Sequence, residues 1–187
     1  MKTVKIGKQL WMTENLNLSH FRNGDPIPQA KTDNDWFEAG IRKRPAWCYY
    51  NNDPANGEKY GKLYNWYAVN DPRGLAPSGW RVPSDGDWTE LTKYVGMDEV
   101  VSKLKSNSGW PLNENGTNDF GFTALPGSTR HLNGSFDIEC DESYWWSSTV
   151  DDSDNAWRRS IQIFEPELIR GSYTKESGCS VRCIRSE

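Results

Sequence analysis

The sequence predicts an α+β domain, with two helices near the middle of the chain and strands at both ends and through the C-terminal half. Three observations lead there. The helical spacing of a buried face is clearest at Trp88, Leu91, Thr92 and Val95, with a second short helix expected at Val100, Val101 and Leu104. Alternation of period two governs Ala156 to Phe164. The 16 Gly and 10 Pro are spread along the chain, which suits many turns and short strands better than long helices.

Taken in order, Val4 to Met12 reads as a hairpin turning at Gly7-Lys8. Asn15 to Arg44 is polar and turn-rich. Trp47 to Tyr50 (WCYY) predicts a buried strand, and Asn51 to Gly61 (NNDPANGEKYG) a loop by composition. Leu63 to Val69 (LYNWYAV) fits strand or helix, because the run is too short for periodicity to choose. The clearest helix starts at Ser84. Ser84 is a good N-cap, Asp87 stands at the third helical position where a carboxylate meets free backbone N–H groups, and Gly96 is a natural stop. Trp88, Leu91, Thr92 and Val95 form its buried face.

Asp98 is the expected cap of a second short helix carrying Val100, Val101 and Leu104. Ser106 to Gly121 is a long loop, with Trp110 and Phe120 suited to packing. FTALPGSTR, HLNGSF and YWWSST then read as short strands between turns. In Ala156 to Phe164, Trp157, Arg159, Ile161 and Ile163 share one face, and Arg158, Ser160, Gln162 and Phe164 the other. Glu165-Pro166-Glu167 is a turn, Leu168 to Tyr173 a returning strand, and Ser180 to Arg185 (SVRCIR) the last strand, able to pair with the first. No linker, low-complexity tract or repeat of roughly 20–50 residues interrupts this layout, so residues 1–187 read as one domain.

Composition bounds the function. Mean hydropathy is −0.84 and only 35% of residues are hydrophobic, yet the chain holds 10 Trp, 8 Tyr and 6 Phe. Each buried aromatic removes roughly 150–250 Å² from water, so an aromatic core replaces an aliphatic one. A net charge of −4 argues against a nucleic-acid groove. The Arg42–Arg44 cluster before Pro45 reads as a solvated loop. No apolar run approaches the roughly 20 residues that span a bilayer, so membrane insertion is not expected. The N-terminal stretch has no signal-peptide pattern. That suits a cytoplasmic protein, one exported by other means or carried on a particle, or the mature part of a longer precursor. Cys48, Cys140, Cys179 and Cys183 allow three full pairings, and buried free thiols are the expected state. His20 and His131 lack metal-ligand spacing.

Six segments carry a resemblance: WMTENLN, YGKLYNWYAV, LAPSGWRVPSDGDWTEL, GFTALPGSTR, YWWSST and SVRCIR. In this order, from Trp11 to Arg185, they resemble the Fibrobacter succinogenes major paralogous domain. The resemblance implies a C-type lectin-like fold, with two helices on a mixed, mainly antiparallel sheet, paired terminal strands and a loop-rich ligand face. It also implies a bacterial or phage protein, often at a cell surface. Some such domains are variable proteins of diversity-generating retroelements, in which adenine-targeted mutagenesis rewrites codons near the C-terminus. The corresponding segment here is residues 150–179. In it Ala156, Trp157, Arg159, Arg170, Lys175 and Gly178 resemble framework. Val150, Asp151, Asp152, Gln162, Phe164, Glu165, Glu167, Ile169 and Cys179 occupy the changeable positions.

The residues themselves support a recognition surface more than a reaction. Arg158, Ser160, Gln162 and Phe164 mix a planar cation, hydrogen-bonding groups and an aromatic on one strand face. Tyr173 adds an aromatic contact and Glu167 a rim charge. Trp157 is expected in the core, together with at least one of Trp145 and Trp146. Asp151, Asp152 and Asp154 offer oxygen ligands, yet no EF-hand spacing surrounds them and Glu165-Pro166-Glu167 only echoes a lectin calcium motif. A solvated acidic loop is therefore expected, with no cofactor. There is no nucleophile elbow, phosphate loop or HExxH motif. Nor do Cys140, Cys179 or Cys183 carry the cysteine motif of the formylglycine-generating enzymes, which share the broad fold. The expected function is non-catalytic binding of a cell-surface protein or glycan through Asp151, Asp152, Asp154, Arg158, Ser160, Gln162, Phe164, Glu165, Glu167, Ile169 and Tyr173. The oligomeric state is open. The alternatives are a carbohydrate-active enzyme or its calcium-dependent sugar-binding accessory, and a structural surface protein.

Overall fold

The two ends of the chain are built together. The computed structural model describes residues 2–137 and 141–185. Strands β1 (Thr3–Ile6) and β2 (Gln9–Met12) form the expected hairpin. Gly7 turns it with φ of 60°, where a Cβ would lie 2.8 Å from the Tyr94 ring. β2 pairs with the last strand, β9 (Ile184–Arg185), through Trp11 and Ile184, and β9 pairs with β5 (Trp80–Arg81). The strand expected over Ser180–Arg185 is cut to two residues. Upstream, Ser180 to Cys183 threads between cores and bonds to different partners on each side: Ser180 N–H to Tyr144, Met12 N–H to Cys183, Leu16 N–H to Val181. No single neighbour offers it a continuous ladder.

Helix α4 (Asp85–Val95) is capped by the full Ser84–Asp87 capping box and buries Trp88, Leu91 and Val95. Helix α5 (Val100–Leu104) follows, but Asp98 is not its cap. Glu99 occupies that position in a left-handed conformation without a side-chain cap bond. Three further helices correct the two-helix expectation. α1 (Asp33–Ile41) lies inside the polar section and starts at a Thr32–Asp35 capping box. It buries only Trp36 and Gly40, so its apolar stripe is too thin to read by periodicity. α2 (Pro54–Tyr60) lies inside the stretch taken as loop, capped by Asp53 with Pro54 in its first turn. WCYY splits into a strand, β3 (Trp47–Cys48), and a 3₁₀ turn. LYNWYAV is both of its alternatives in turn, β4 (Leu63–Tyr64) and α3 (Trp66–Val69). FTALPGSTR and HLNGSF contribute only isolated bridges, such as Arg130 with Phe136.

The C-terminal half forms its own antiparallel sheet: β6 (Glu142–Val150), β7 (Asn155–Gln162) and β8 (Ile169–Thr174), in that order. The described residues thus hold three antiparallel sheets where one mixed sheet was expected. β6 is the wall between two cores. Tyr144 and Trp146 face one, with Trp47, Tyr64 and Trp66. Trp145 faces the other, with Trp11, Trp88 and Phe122. Successive residues of a strand point to opposite sides, and here both sides are packed. Both adjacent tryptophans are therefore fully buried. Cys48, Cys179 and Cys183 are buried free thiols, and Cys140 lies outside the described residues.

Candidate functional site

The β7–β8 hairpin carries most of the residues singled out in the sequence, and it does not gather them into one place. Asp151, Asp152 and Asp154 lie in the turn that enters β7. Phe164, Glu165 and Glu167 lie in the turn that leaves it. An eight-residue strand separates the two groups by about 25 Å. Ser160 is buried between Tyr144 and Ile169 on the neighbouring strands, so it presents nothing to a partner. Gln162 and Ile169 are half-buried.

Arg158 and Tyr173 do come together. Arg158 stands opposite Gly171, whose lack of a side chain leaves room across β8. Its guanidinium stacks 3.5 Å from the Tyr173 ring centroid and 4.1 Å from that of Tyr144. Its Nη1 atom is buried and has no hydrogen-bond partner among the described residues. Beneath it the buried Cys179 thiol is pushed up by desolvation, a rise that Arg158 opposes. Tyr173 is likewise raised by burial, so its hydroxyl stays protonated at neutral pH. That hydroxyl lies 3.2 Å from His131 Nδ1, and His131 Nε2 lies 2.7 Å from the Asp137 carboxylate. On the far side the Tyr144 hydroxyl donates to Glu142. Burial, and then Asp141 and Asp137, raise the Glu142 carboxyl above its ordinary range. His131, Asn133, Ser135, Tyr173, Thr174 and Ser177 line an open cavity of about 360 Å³. It offers one aromatic platform whose polar tip is fixed by a histidine, ringed by hydroxyls and an amide. Such a lining suits a ligand rich in hydrogen-bonding groups.

The other face of the hairpin is held from helix α4. Arg159, 3% exposed, donates to the Asp85 carboxylate at 2.5 Å. Arg170, on β8, reaches the same carboxylate at 3.0–3.1 Å and lies 3.2 Å from the Trp157 ring centroid. Trp157 is thus only half-buried, under a solvent-facing guanidinium lid. This corrects its expected place in the core: at this end of the sheet α4 supplies charge rather than apolar surface. Trp157→Ala is accordingly expected to lower the unfolding free energy by no more than about 2 kcal/mol, against the roughly 3–5 kcal/mol of a buried tryptophan. Urea unfolding measures the difference, and a loss above about 3 kcal/mol would return the ring to the core.

The acidic turn is an ordered structure with its own partners. Asp152 accepts from the Asp154 and Asn155 amides and from the Asn155 side chain, which lower its pKa with the side-chain bond foremost. Asp151 accepts from Ser172, and Asp154 from Ser153. Lys175, almost wholly buried, donates to the Asp152 and Ser153 carbonyls at 2.8 Å. These carboxylates do not converge on a common point. Among the described residues, no group of three or more His, Cys, Asp or Glu side chains is placed to hold a metal. At the opposite end Phe164 is 71% exposed, beside a groove of about 300 Å³ lined by Val101, Lys105, Glu114 and Glu165.

Sequence reasoning missed His131, Asp137, Tyr144 and Asp85. Tyr144 had a signal: period-two alternation places it on one face with Trp146 and Glu142. His131 and Asp137 had none, because they come from a loop whose position depends on the whole fold.

A family model described as the Fibrobacter succinogenes major domain matches residues 4–185. No curated relative matches the chain.

Proposed function

Because the chain belongs to the Fibrobacter succinogenes major domain family, we propose that it is a non-catalytic ligand-binding domain of C-type lectin-like fold. In this reading the β7–β8 hairpin and the loop carrying His131 recognise a cell-surface protein or glycan. One observation carries it. β6 is packed on both faces, while β7 beside it and β8 at the sheet edge leave two guanidinium–aromatic stacks, Arg158–Tyr173 and Arg170–Trp157, partly exposed. Tyrosine, tryptophan and arginine are the residue types that anchor interfaces. Here they sit on strands, with rotamers held by Asp85 and His131. Rigid anchors lose little entropy on binding.

The same reading treats residues 150–179 as a segment able to vary on a fixed frame. Val150, Asp151, Asp152, Phe164, Glu165 and Glu167 are exposed and suit it. Cys179 is wholly buried and belongs with the frame instead. A near-identical second copy of the coding segment, differing at adenines and lying beside a reverse-transcriptase gene, is the expected genomic mark of such a system.

The test is binding of the labelled domain to a glycan array and to bacterial cell surfaces, with and without calcium. The expected result is calcium-independent retention that the double variant Trp157→Ala/Arg170→Ala loses at least about tenfold, with a folded circular dichroism spectrum. Equal retention of the two proteins would overturn the hairpin assignment. Release of reducing ends from a bound polysaccharide would overturn the non-catalytic reading.

A further inference from the structure

At the end of the hairpin away from the acidic turn, a groove of about 300 Å³ runs between helix α5 and the turn that joins β7 to β8. Phe164 stands on its edge, 71% exposed, with Ile163 and Pro166 beside it in the same lining. The walls are tied to one another. The Val101 amide donates to the Pro166 carbonyl at 3.4 Å, which joins α5 to the turn. The Gly116 and Thr117 amides donate to the Ser106 and Ser102 carbonyls at 2.9 Å, which lays the loop carrying Glu114 and Asn115 against the end of α5. That approach is so close that a Cβ at Gly116 would lie 2.3 Å from the Ser102 carbonyl oxygen.

Lys105 also lines this groove, and it is only 3% exposed. Its ammonium lies 4.4 Å from the Trp110 ring centroid. Burial lowers its pKa and Glu114 opposes that fall, so Glu114 is its counter-charge. What the ammonium lacks is an acceptor. None of the three N–H donors of this lysine has a hydrogen-bond partner among the described residues. Asn115 gives its side-chain oxygen to the Trp110 amide at 3.0 Å, which leaves its own N–H groups without a partner among the described residues. Glu99, Glu114 and Glu165 bring carboxylates to the lining against the single ammonium of Lys105, so the groove carries net negative charge.

We propose that this groove is a subsite for a neutral sugar, whose ring lies on Phe164 and whose hydroxyl groups accept from Lys105 and donate to Glu114 and Glu165. This assignment rests on the ligand-binding reading above and narrows the ligand at this end of the hairpin to a glycan. An anion would meet the excess of carboxylate. A cationic side chain would satisfy the carboxylates and leave Lys105 without an acceptor, since lysine and arginine carry donors only. A hydroxyl both donates and accepts, so a polyol serves both at once. The face of the Phe164 ring carries the negative side of its quadrupole and attracts the polarised C–H bonds on the flat side of a sugar. The volume is at the lower end for small-molecule sites, which suits one sugar unit at a chain end.

The experiment is saturation-transfer NMR of the full chain with the methyl glycosides of glucose, galactose, mannose and N-acetylglucosamine. Glucuronate serves as the acidic sugar and N-acetyl-lysine amide as the cation. Saturable binding of at least one neutral glycoside is expected, with saturation carried to its ring C–H protons. Phe164→Ala is expected to weaken that binding about tenfold and Phe164→Tyr to keep it. Neither change disturbs the core, since Phe164 is exposed. Lys105→Met keeps an apolar chain against the Trp110 ring and is expected to weaken binding by a similar factor. The assignment is overturned if no neutral glycoside binds, if Phe164→Ala or a folded Lys105→Met binds as the parent does, or if glucuronate or the lysine amide binds more tightly than every neutral glycoside. Its failure is separable from that of the hairpin reading. Loss of cell-surface retention by Trp157→Ala/Arg170→Ala, with glycosides that ignore the groove, would leave the hairpin reading standing and end the sugar subsite. The reverse pair of results would place recognition in the groove instead.

Discussion

Trp145→Ala is expected to remove about 3–5 kcal/mol of unfolding free energy, a large part of the roughly 5–15 kcal/mol that holds a domain of this kind together. Trp145 is fully buried and lies about 6.0 Å, centroid to centroid, from both Trp88 and Phe122. Trp88 in turn packs 4.8 Å from Trp11. Four rings from β2, α4, the loop before β6 and β6 itself thus meet at one point. The indole N–H also donates to the Asn15 side chain at 2.9 Å, the same oxygen that receives Arg182. Removing the indole leaves a cavity that the surrounding rings cannot fill by a change of rotamer. Trp145→Phe keeps most of the volume and is expected to lose less than half as much. Urea denaturation of both variants beside Trp157→Ala is the measurement. A Trp145→Ala loss below about 1 kcal/mol, or one equal to that of Trp157→Ala, would refute the central place given to this ring.

The second large effect belongs to Asp85. Asp85→Ala strips the carboxylate from a buried guanidinium, Arg159, and is expected to cost about 3–5 kcal/mol, because an uncompensated buried charge is what remains. Burial already disfavours the Arg159 cation, and Asp85 is the group that opposes this. Arg170→Ala removes the other arginine on the same carboxylate. Arg170 is 46% exposed, so that change is expected to cost under about 1 kcal/mol. The double variant Asp85→Ala/Arg159→Leu is expected to recover most of the loss, since it removes the stranded charge as well as its partner. Chemical denaturation of the three variants decides the matter. Equal losses for Asp85→Ala and Arg170→Ala would mean that the buried pair contributes no more than the exposed one. Hydrogen exchange adds a local readout: loss of Asp85 is expected to raise exchange in β7 and β8 ahead of β6, because the Asp85 carboxylate joins helix α4 to both strands of the hairpin.

What the sequence determined alone is local. Helix α4 was legible because Ser84 and Asp87 are three residues apart and its apolar stripe repeats within eleven residues. The alternation in Ala156–Phe164 identified β7, and the Glu165–Glu167 turn identified its return as β8. α1 left a legible trace in its Thr32–Asp35 capping box, but its polar surface outweighed that trace. Tertiary structure decided which face of each strand is buried. Trp146 and Trp145 both vanish into core because two clusters meet on β6. Trp157, an equally apolar side chain, stays at the surface because Asp85 reaches Arg159 and Arg170 across 74 and 85 positions of sequence. In the same way His131 and Asp137 meet Tyr173 only once a loop has closed over the hairpin. A side chain's period and its neighbours' caps are encoded within a few residues. Burial, charge compensation and the convergence of polar groups depend on surfaces contributed from far along the chain, and they exist only after those surfaces have packed.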